Sequence, residues 1–293
     1  MGQGSLSNRQ VKKRIKLANN KIAFCYDRVA DIPAQVNTRL ADRLSLFKIN
    51  PRVTIDFGSG TGMGETYLRS RFKQCQIIEL DIAENMLRAA REKKSNFLKK
   101  IGFNRTFQVM GDVDNLPFCD DCADLVWATF VLEWASATSV LIGHINNILR
   151  QGGLFFFATL GPDTLKELRE CCQKSSNDGM VNDFTDMHHL GDQMLSAGMS
   201  GPVVDTEYFT VEFDNVFDIL KELKNLGSIR KTPSDKRLNL ERIARQYEHF
   251  RNNNGRLPAT FEVVYGHAWA GLSKKQMKHR VLRIEPKNSN EAN

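Results

Sequence analysis

From about residue 51 to residue 160 the chain alternates short apolar runs with longer stretches whose apolar positions recur every three to four residues. The runs suited to strands are Arg52 to Phe57, Gln76 to Leu80, Thr106 to Met110, Ala123 to Ala128 and Leu154 to Thr159. Helical periodicity occupies the gaps, over Gly64 to Arg71, Ala83 to Lys100 and Ser139 to Arg150. A strand, helix, strand repeat of this kind predicts an α/β fold, with a doubly wound, mostly parallel sheet covered by helices on both faces.

The pattern continues with a helix over Asp186 to Ala197, a strand over Val203 to Glu207 and a late strand over Thr260 to Trp269. Between the last two lies a charged, helix-forming stretch, about 214 to 258, which is predicted to form a helical cap inserted before the last strand. An N-terminal helix over 10 to 48 is expected to precede the core at 51 to 210, so that residues 1 to 271 form one domain. Residues 272 to 293 are basic and polar without an apolar period and are expected to be disordered. No apolar run approaches the roughly 20 residues that span a bilayer, so no membrane partner is expected.

Charge sharpens this outline. The 293 residues carry a formal charge of +7, and from residue 215 onward basic residues outnumber acidic ones about two to one. An acidic partner is expected; nucleic acid is not, since no recognised binding module is present. Six cysteines without a secretory leader fit a reduced, cytoplasmic setting. Cys119 and Cys122 have the spacing of a redox or zinc pair, but neither a second ligand pair nor a suitable helix start follows. His188 and His189 are adjacent, so on a helix they point about 100 degrees apart and do not share a metal ion. Trp127 and Trp134 are assigned to the core and to a pocket wall.

The chemistry begins at Val53-Thr54-Ile55-Asp56-Phe57-Gly58-Ser59-Gly60-Thr61-Gly62. Gly58, Gly60 and Gly62 after an apolar strand allow a tight turn that a ligand can approach closely. A dinucleotide fingerprint would put its third glycine where Met63 stands, and no Gly-Lys-Ser or Gly-Lys-Thr follows for a phosphate loop. S-adenosylmethionine makes different demands, and the next two strand ends meet them. Asp81 can accept from both ribose hydroxyls, and Asp112 from the adenine amine, with Ile82 and Val113 on either side of the base. Asp56 can orient the loop or accept from the ligand ammonium through water. Each acid is also a reasonable helix cap, and Glu79 competes with Asp81; it is their order at successive strand ends that singles out a ligand site.

Through Ile55 to Gly62, Leu80 to Leu87 and Gly111 to Phe118 the chain resembles class I S-adenosylmethionine-dependent methyltransferases, which implies their Rossmann-like fold. Further motifs resemble the malonyl-acyl-carrier-protein O-methyltransferases of biotin synthesis: Phe24-Cys25-Tyr26-Asp27, Leu132-Glu133-Trp134, Leu160-Gly161-Pro162-Asp163-Thr164-Leu165-Lys166-Glu167-Leu168, Leu223 to Gly227, and Gly255 to Thr260. That family often has Gln where Glu133 stands. The resemblance implies methylation of a malonyl thioester on acyl carrier protein, an acidic partner suited to the basic cap residues Lys221, Lys224, Arg230, Lys231, Lys236, Arg237, Arg242 and Arg245. It also implies Lys224 as a holder of the malonyl carboxylate; Tyr26, whose ring can shield a sulfonium while its hydroxyl donates a bond, is expected as a lid over the methionine end. No general base is needed, because a carboxylate is already the nucleophile. The motif at Gly161 to Leu168 also looks like a mitochondrial complex I assembly factor that hydroxylates arginine, and a binding module without turnover is the third alternative.

Overall fold

The computed structural model describes residues 8–98, 105–175, 180–225 and 240–271. Its strands are β1 (Val53–Phe57), β2 (Gln76–Asp81), β3 (Thr106–Met110), β4 (Ala123–Thr129), β5 (Leu149–Leu160), β6 (Ser200–Phe213) and β7 (Leu257–Trp269). The helices are α1 (Asn8–Ile22), α2 (Asp31–Leu44), α3 (Met63–Arg71), α4 (Glu84–Leu98), α5 (Thr138–Ile148), α6 (Lys166–Lys174), α7 (Met187–Ser196), α8 (Val216–Asn225) and α9 (Leu240–Tyr247). The strands form one sheet in the order β3-β2-β1-β4-β5-β7-β6. The first five pair in parallel, and β7 runs antiparallel to both β5 and β6. This is the mostly parallel, doubly wound sheet expected from the pattern.

Strand alternation sorts side chains into two cores. Leu125, Trp127, Leu154, Phe156 and Ala158 face one side with Phe261 and Val263, under apolar residues of α2, α3, α6, α8 and α9. Val126, Ala128, Phe155 and Phe157 face the other, with Leu141, Ile142 and Ile145 of α5 and Leu190 and Met194 of α7. A central strand buried on both faces has no polar side to show, which is why the β5 sequence reads as a continuous apolar run.

Several bounds differ from expectation; β5 and β7, for example, begin earlier, at Leu149 and Leu257. The single N-terminal helix expected over 10 to 48 is two helices, α1 and α2, separated by a 3-10 turn at Tyr26–Arg28. Pro33 explains the restart: it lacks the N–H that a continuous helix would use, a loss tolerated only in a first turn. Strand β6 is 14 residues long rather than five, because it pairs with β7 from Ser200 to Phe213. Helix α6 was not anticipated. Of the expected cap, α8 and α9 are described, and they bury Val216, Ile219, Leu220, Ile243 and Tyr247 against the first core. Arg230, Lys231, Lys236 and Arg237, like the tail at 272 to 293, lie outside the described residues. No helix among the described residues is long and apolar enough to cross a membrane.

Candidate functional site

Strand order reverses between β1 and β4, and at that switch point the carboxyl ends of parallel strands part to leave a crevice. The cavity there is lined by Gly58, Ser59, Gly60 and Thr61 after β1, Asp81 and Ile82 after β2, and Gly111, Asp112 and Val113 after β3. Tyr26 and Asp56 also line it. Of the expected site residues, Gly62 falls outside the cavity lining and is the N-cap residue of α3. Lys224 is on α8, with its side chain outside the described residues.

The loop owes its path to its glycines. Gly58, Gly60 and Gly62 have φ of +66, +54 and +82 degrees, values that a side chain strains to adopt. Asp81 holds the loop in place: its Oδ2 accepts from the Gly60 N–H at 2.9 Å, and its Oδ1 accepts from the Ala83 N–H at 2.7 Å. Burial raises the Asp81 carboxyl to about 6 although these amides pull the other way. Asp81 therefore combines the capping role with a place in the cavity wall. The competitor Glu79 is fully buried and is taken up by Lys94, at 2.5 Å, and Gln108, at 2.8 Å.

Three buried polar atoms around the loop have no partner: Asp56 Oδ2, Ser59 Oγ and Trp127 Nε1. Two of them flank Gly64, where a Cβ would lie 2.7 Å from Asp56 Oδ2 and 2.8 Å from Trp127 Nε1. Burial, then the nearby Glu79, raises the Asp56 carboxyl well above its ordinary range. Buried polar atoms cost free energy while unpaired, so this end of the crevice suits a small polar ligand such as an amino-acid group. Asp81 and Asp112, with Ile82 and Val113, supply acceptors and apolar walls suited to a nucleoside.

Beside Tyr26, the expected lid, helix α1 also covers the cavity, an arrangement outside the sequence expectation. Lys12, Ile15 and Asn19 of α1 line it together with Tyr26. Lys12 pairs with both Asp112 and Asp114, so the carboxylate expected to meet adenine is already engaged by an ammonium. Asn20 Oδ1 accepts from the Asn85 N–H at 2.8 Å, docking α1 on the start of α4. Asp27 pairs with Lys93 and accepts from the Thr61 hydroxyl at 2.5 Å, which fastens the following turn to the glycine loop. For α1 itself, the sequence carries as a hint the basic, acid-free composition of residues 1 to 24.

Beyond β1, the wall above β4 and β5 is formed by Thr129, Phe130, Val131, Glu133, Trp134 and Leu160, with Asn37 and Phe261 opposite. Trp134 is thus the expected pocket wall, and Trp127 is core. Glu262 anchors the loop after β5: it accepts from the Asp163 N–H at 2.7 Å, and Thr164 Oγ1 donates to its carbonyl at 3.0 Å. That interlock accounts for the Leu160 to Leu168 motif. Away from the cavity, His188 and His189 are exposed on α7, whose N-cap Asp186 accepts from the His188 N–H. Cys119 is exposed beside half-buried Cys122, and no group of three metal-ligating side chains occurs among the described residues.

Comparison with known proteins agrees with this geometry. A family model described as "Methyltransferase domain" matches residues 55–157. The chain is 37% identical over 283 residues to the malonyl-[acyl-carrier protein] O-methyltransferase of Methylovorus sp. (strain MP688), the match covering 92% of this chain and 95% of that protein. It is 38% identical to the enzyme of that name from Nitrosospira multiformis, over 88% of this chain and 89% of the other. Among solved structures, Haemonchus contortus phosphoethanolamine N-methyltransferase 2 in complex with S-adenosyl-L-methionine aligns with a TM-score of 0.58 at 16% identity, covering 93% of this chain and 62% of that one. The last likeness is one of fold.

Proposed function

From the premise that this chain belongs to the malonyl-[acyl-carrier protein] O-methyltransferase family, we propose that it moves a methyl group from S-adenosylmethionine to the free carboxylate of a malonyl thioester carried by acyl carrier protein. The observation that carries this reading is the crevice at the β1/β4 switch, where a positive-φ glycine loop, two strand-end aspartates and orphaned Asp56 and Ser59 meet.

S-adenosylmethionine, when bound, supplies an electrophilic methyl on a sulfonium. The residues present fit it. Asp81 would accept from the ribose hydroxyls, Ile82 and Val113 would hold the base, and Asp56, Gly58 and Gly60 would face the amino-acid end. Asp112 would accept from the adenine amine on condition that it shares its oxygens with Lys12. Tyr26 and α1 would shut out water, which strengthens every electrostatic contact inside. Catalysis then consists of placement: a carboxylate held in line needs no base, and alignment can supply on the order of 7 to 11 kcal/mol in the best intramolecular cases. Lys224 remains the proposed cation for the malonyl carboxylate. An acidic carrier would be steered by exposed Lys221, Arg242 and Arg245.

Incubation with malonyl-acyl carrier protein and S-adenosylmethionine should yield one S-adenosylhomocysteine per malonyl group consumed. Absence of that product with carrier-bound malonate and with malonyl-coenzyme A alike would overturn the proposal. In cells, the gene should restore growth to a biotin auxotroph that lacks this methyltransferase.

A further inference from the structure

Glu133 is the ionisable side chain in the part of the cavity that the cofactor would leave open. On the proposed reading, Asp81 and Asp112 would hold the nucleoside over β2 and β3, and the glycine loop would hold the amino-acid end over β1. The acceptor must therefore come from the side of β4 and β5. There the wall consists of Phe130, Val131, Trp134, Leu160 and Phe261, interrupted by Asn37, Thr129 and Glu133. Glu133 is fixed by the 3-10 turn Leu132–Trp134, and the Thr159 hydroxyl donates to its Oε2 at 3.0 Å, which leaves Oε1 to carry a proton. Among the described residues no Lys, Arg or His pairs with it.

An ionised glutamate in this apolar wall would oppose an anionic acceptor. Burial instead pushes the Glu133 carboxyl up to about 7, against the smaller pull of its own backbone N–H and the Thr159 hydroxyl. A neutral carboxyl group is a hydrogen-bond donor.

We propose that Glu133 orients the methyl acceptor: as a neutral acid it donates a hydrogen bond to the acceptor carboxylate, and as an anion it repels that carboxylate. The inference rests on the malonyl-thioester reading above. One acceptor oxygen is held by Glu133 while the other attacks. The new O–C bond forms as the S–C bond breaks, the electron pair stays on sulfur, and Glu133 keeps its proton. The other titratable groups facing this cavity are Lys12, Tyr26, Asp56, Asp81 and Asp112; from α5, packed against the turn, His144 is exposed.

Only the neutral form accepts the acceptor, so apparent affinity scales with its fraction, which falls from about 0.9 at pH 6 to about 0.1 at pH 8 for a group titrating near 7. The test is calorimetry of malonyl-acyl carrier protein binding to protein saturated with S-adenosylhomocysteine, together with KM and kcat at both pH values. The wild type should bind about tenfold more weakly at pH 8 than at pH 6, with the change in KM. Glu133→Gln keeps a donor without the charge, so it should bind at pH 8 as tightly as the wild type does at pH 6 and show a flat profile. Glu133→Leu should bind poorly at both. Binding of the methyl-ester product should be insensitive to pH. A flat wild-type profile, or a wild-type slope surviving in Glu133→Gln, assigns the dependence elsewhere and overturns the inference while the methyltransferase reading stands. Wild-type protein that neither binds nor methylates any malonyl thioester overturns both. Unchanged affinity of the variants for S-adenosylmethionine certifies their fold.

Discussion

Lys12 on α1 and Asp112 after β3 form an ion pair whose ammonium is also shared by Asp114, with only 13% of the lysine side chain exposed. The pair holds α1 across the end of the crevice beside β3, so the helix forms part of the cavity wall. Lys12→Ala should raise amide exchange over residues 8 to 22 and weaken S-adenosylmethionine binding by roughly three- to tenfold, through faster release. Partly buried pairs are worth more than surface ones, and this range corresponds to about 1 kcal/mol. Hydrogen exchange and stopped-flow release check it; unchanged release would mean that α1 does not act as a cover.

On the proposed site, Asp81 should carry the pH dependence of cofactor binding in the acid range: ribose hydroxyls would donate to its ionised form, so protonation would compete with the ligand. With the carboxyl raised to about 6, affinity should hold at pH 7 and weaken toward tenfold per pH unit well below 6. Asp81→Asn should flatten this profile at a lower affinity. Asp81→Ala should weaken binding at least thirtyfold, since charge-assisted hydrogen bonds contribute about 1.5 to 3 kcal/mol each. Calorimetry from pH 5 to 7.5 decides.

Glycine is required at position 62 for two separable reasons. Its φ is +82 degrees, and a Cβ would sit 2.9 Å from Glu79 Oε1, which is already committed to Lys94. Gly152 shares a positive φ of +75 degrees but has open space around it. Gly152→Ala should therefore cost only the conformational part, about 1 kcal/mol, and Gly62→Ala about 2 to 4 kcal/mol. Thermal melting should rank them in that order.

Glu133 also links proton binding to stability. Its carboxyl titrates near 7 in the folded chain against 4.5 when free, so the folded state binds the extra proton between those values. Stability from this group is complete below about 4.5 and is lost as pH rises through 7. Glu133→Gln should match the wild type at pH 4.5 and exceed it by on the order of 2 to 3 kcal/mol at pH 8, measured by urea unfolding.

Much of this molecule was legible from periodicity, because parallel strands buried on both faces and amphipathic helices carry strong, distinct patterns. The glycine loop, Asp81 and Asp112 were legible for a related reason: strand ends are fixed by the same pattern that marks the strands. What stayed hidden depends on partners distant in sequence. Glu79 and Asp81 share a strand face, but Lys94 and Gln108 claim the first while the second holds the Gly60 and Ala83 amides at the cavity. Lys12 was one basic residue in a basic segment until Asp112 stood beside it. Glu133 had no assignable role because its Thr159 partner lies on the neighbouring strand, 26 residues away. The break between α1 and α2 is signalled locally by Pro33, whose missing N–H suits the first turn of a helix and not its interior.

The antiparallel ribbon of β6 and β7 has a consequence for how such enzymes diversify. Val263 pairs with Leu160 at the end of β5, but β7 and β6 run on together to the rung formed by Leu257 and Phe213. The segment carrying α8 and α9 leaves and re-enters the sheet at that one rung, on the edge where the crevice opens. Insertions that begin and end side by side can be lengthened, shortened or exchanged at little entropic penalty and without shifting the register beneath them. The appendage can therefore change in length while the parallel half of the sheet, with the glycine loop and Asp81, keeps its register.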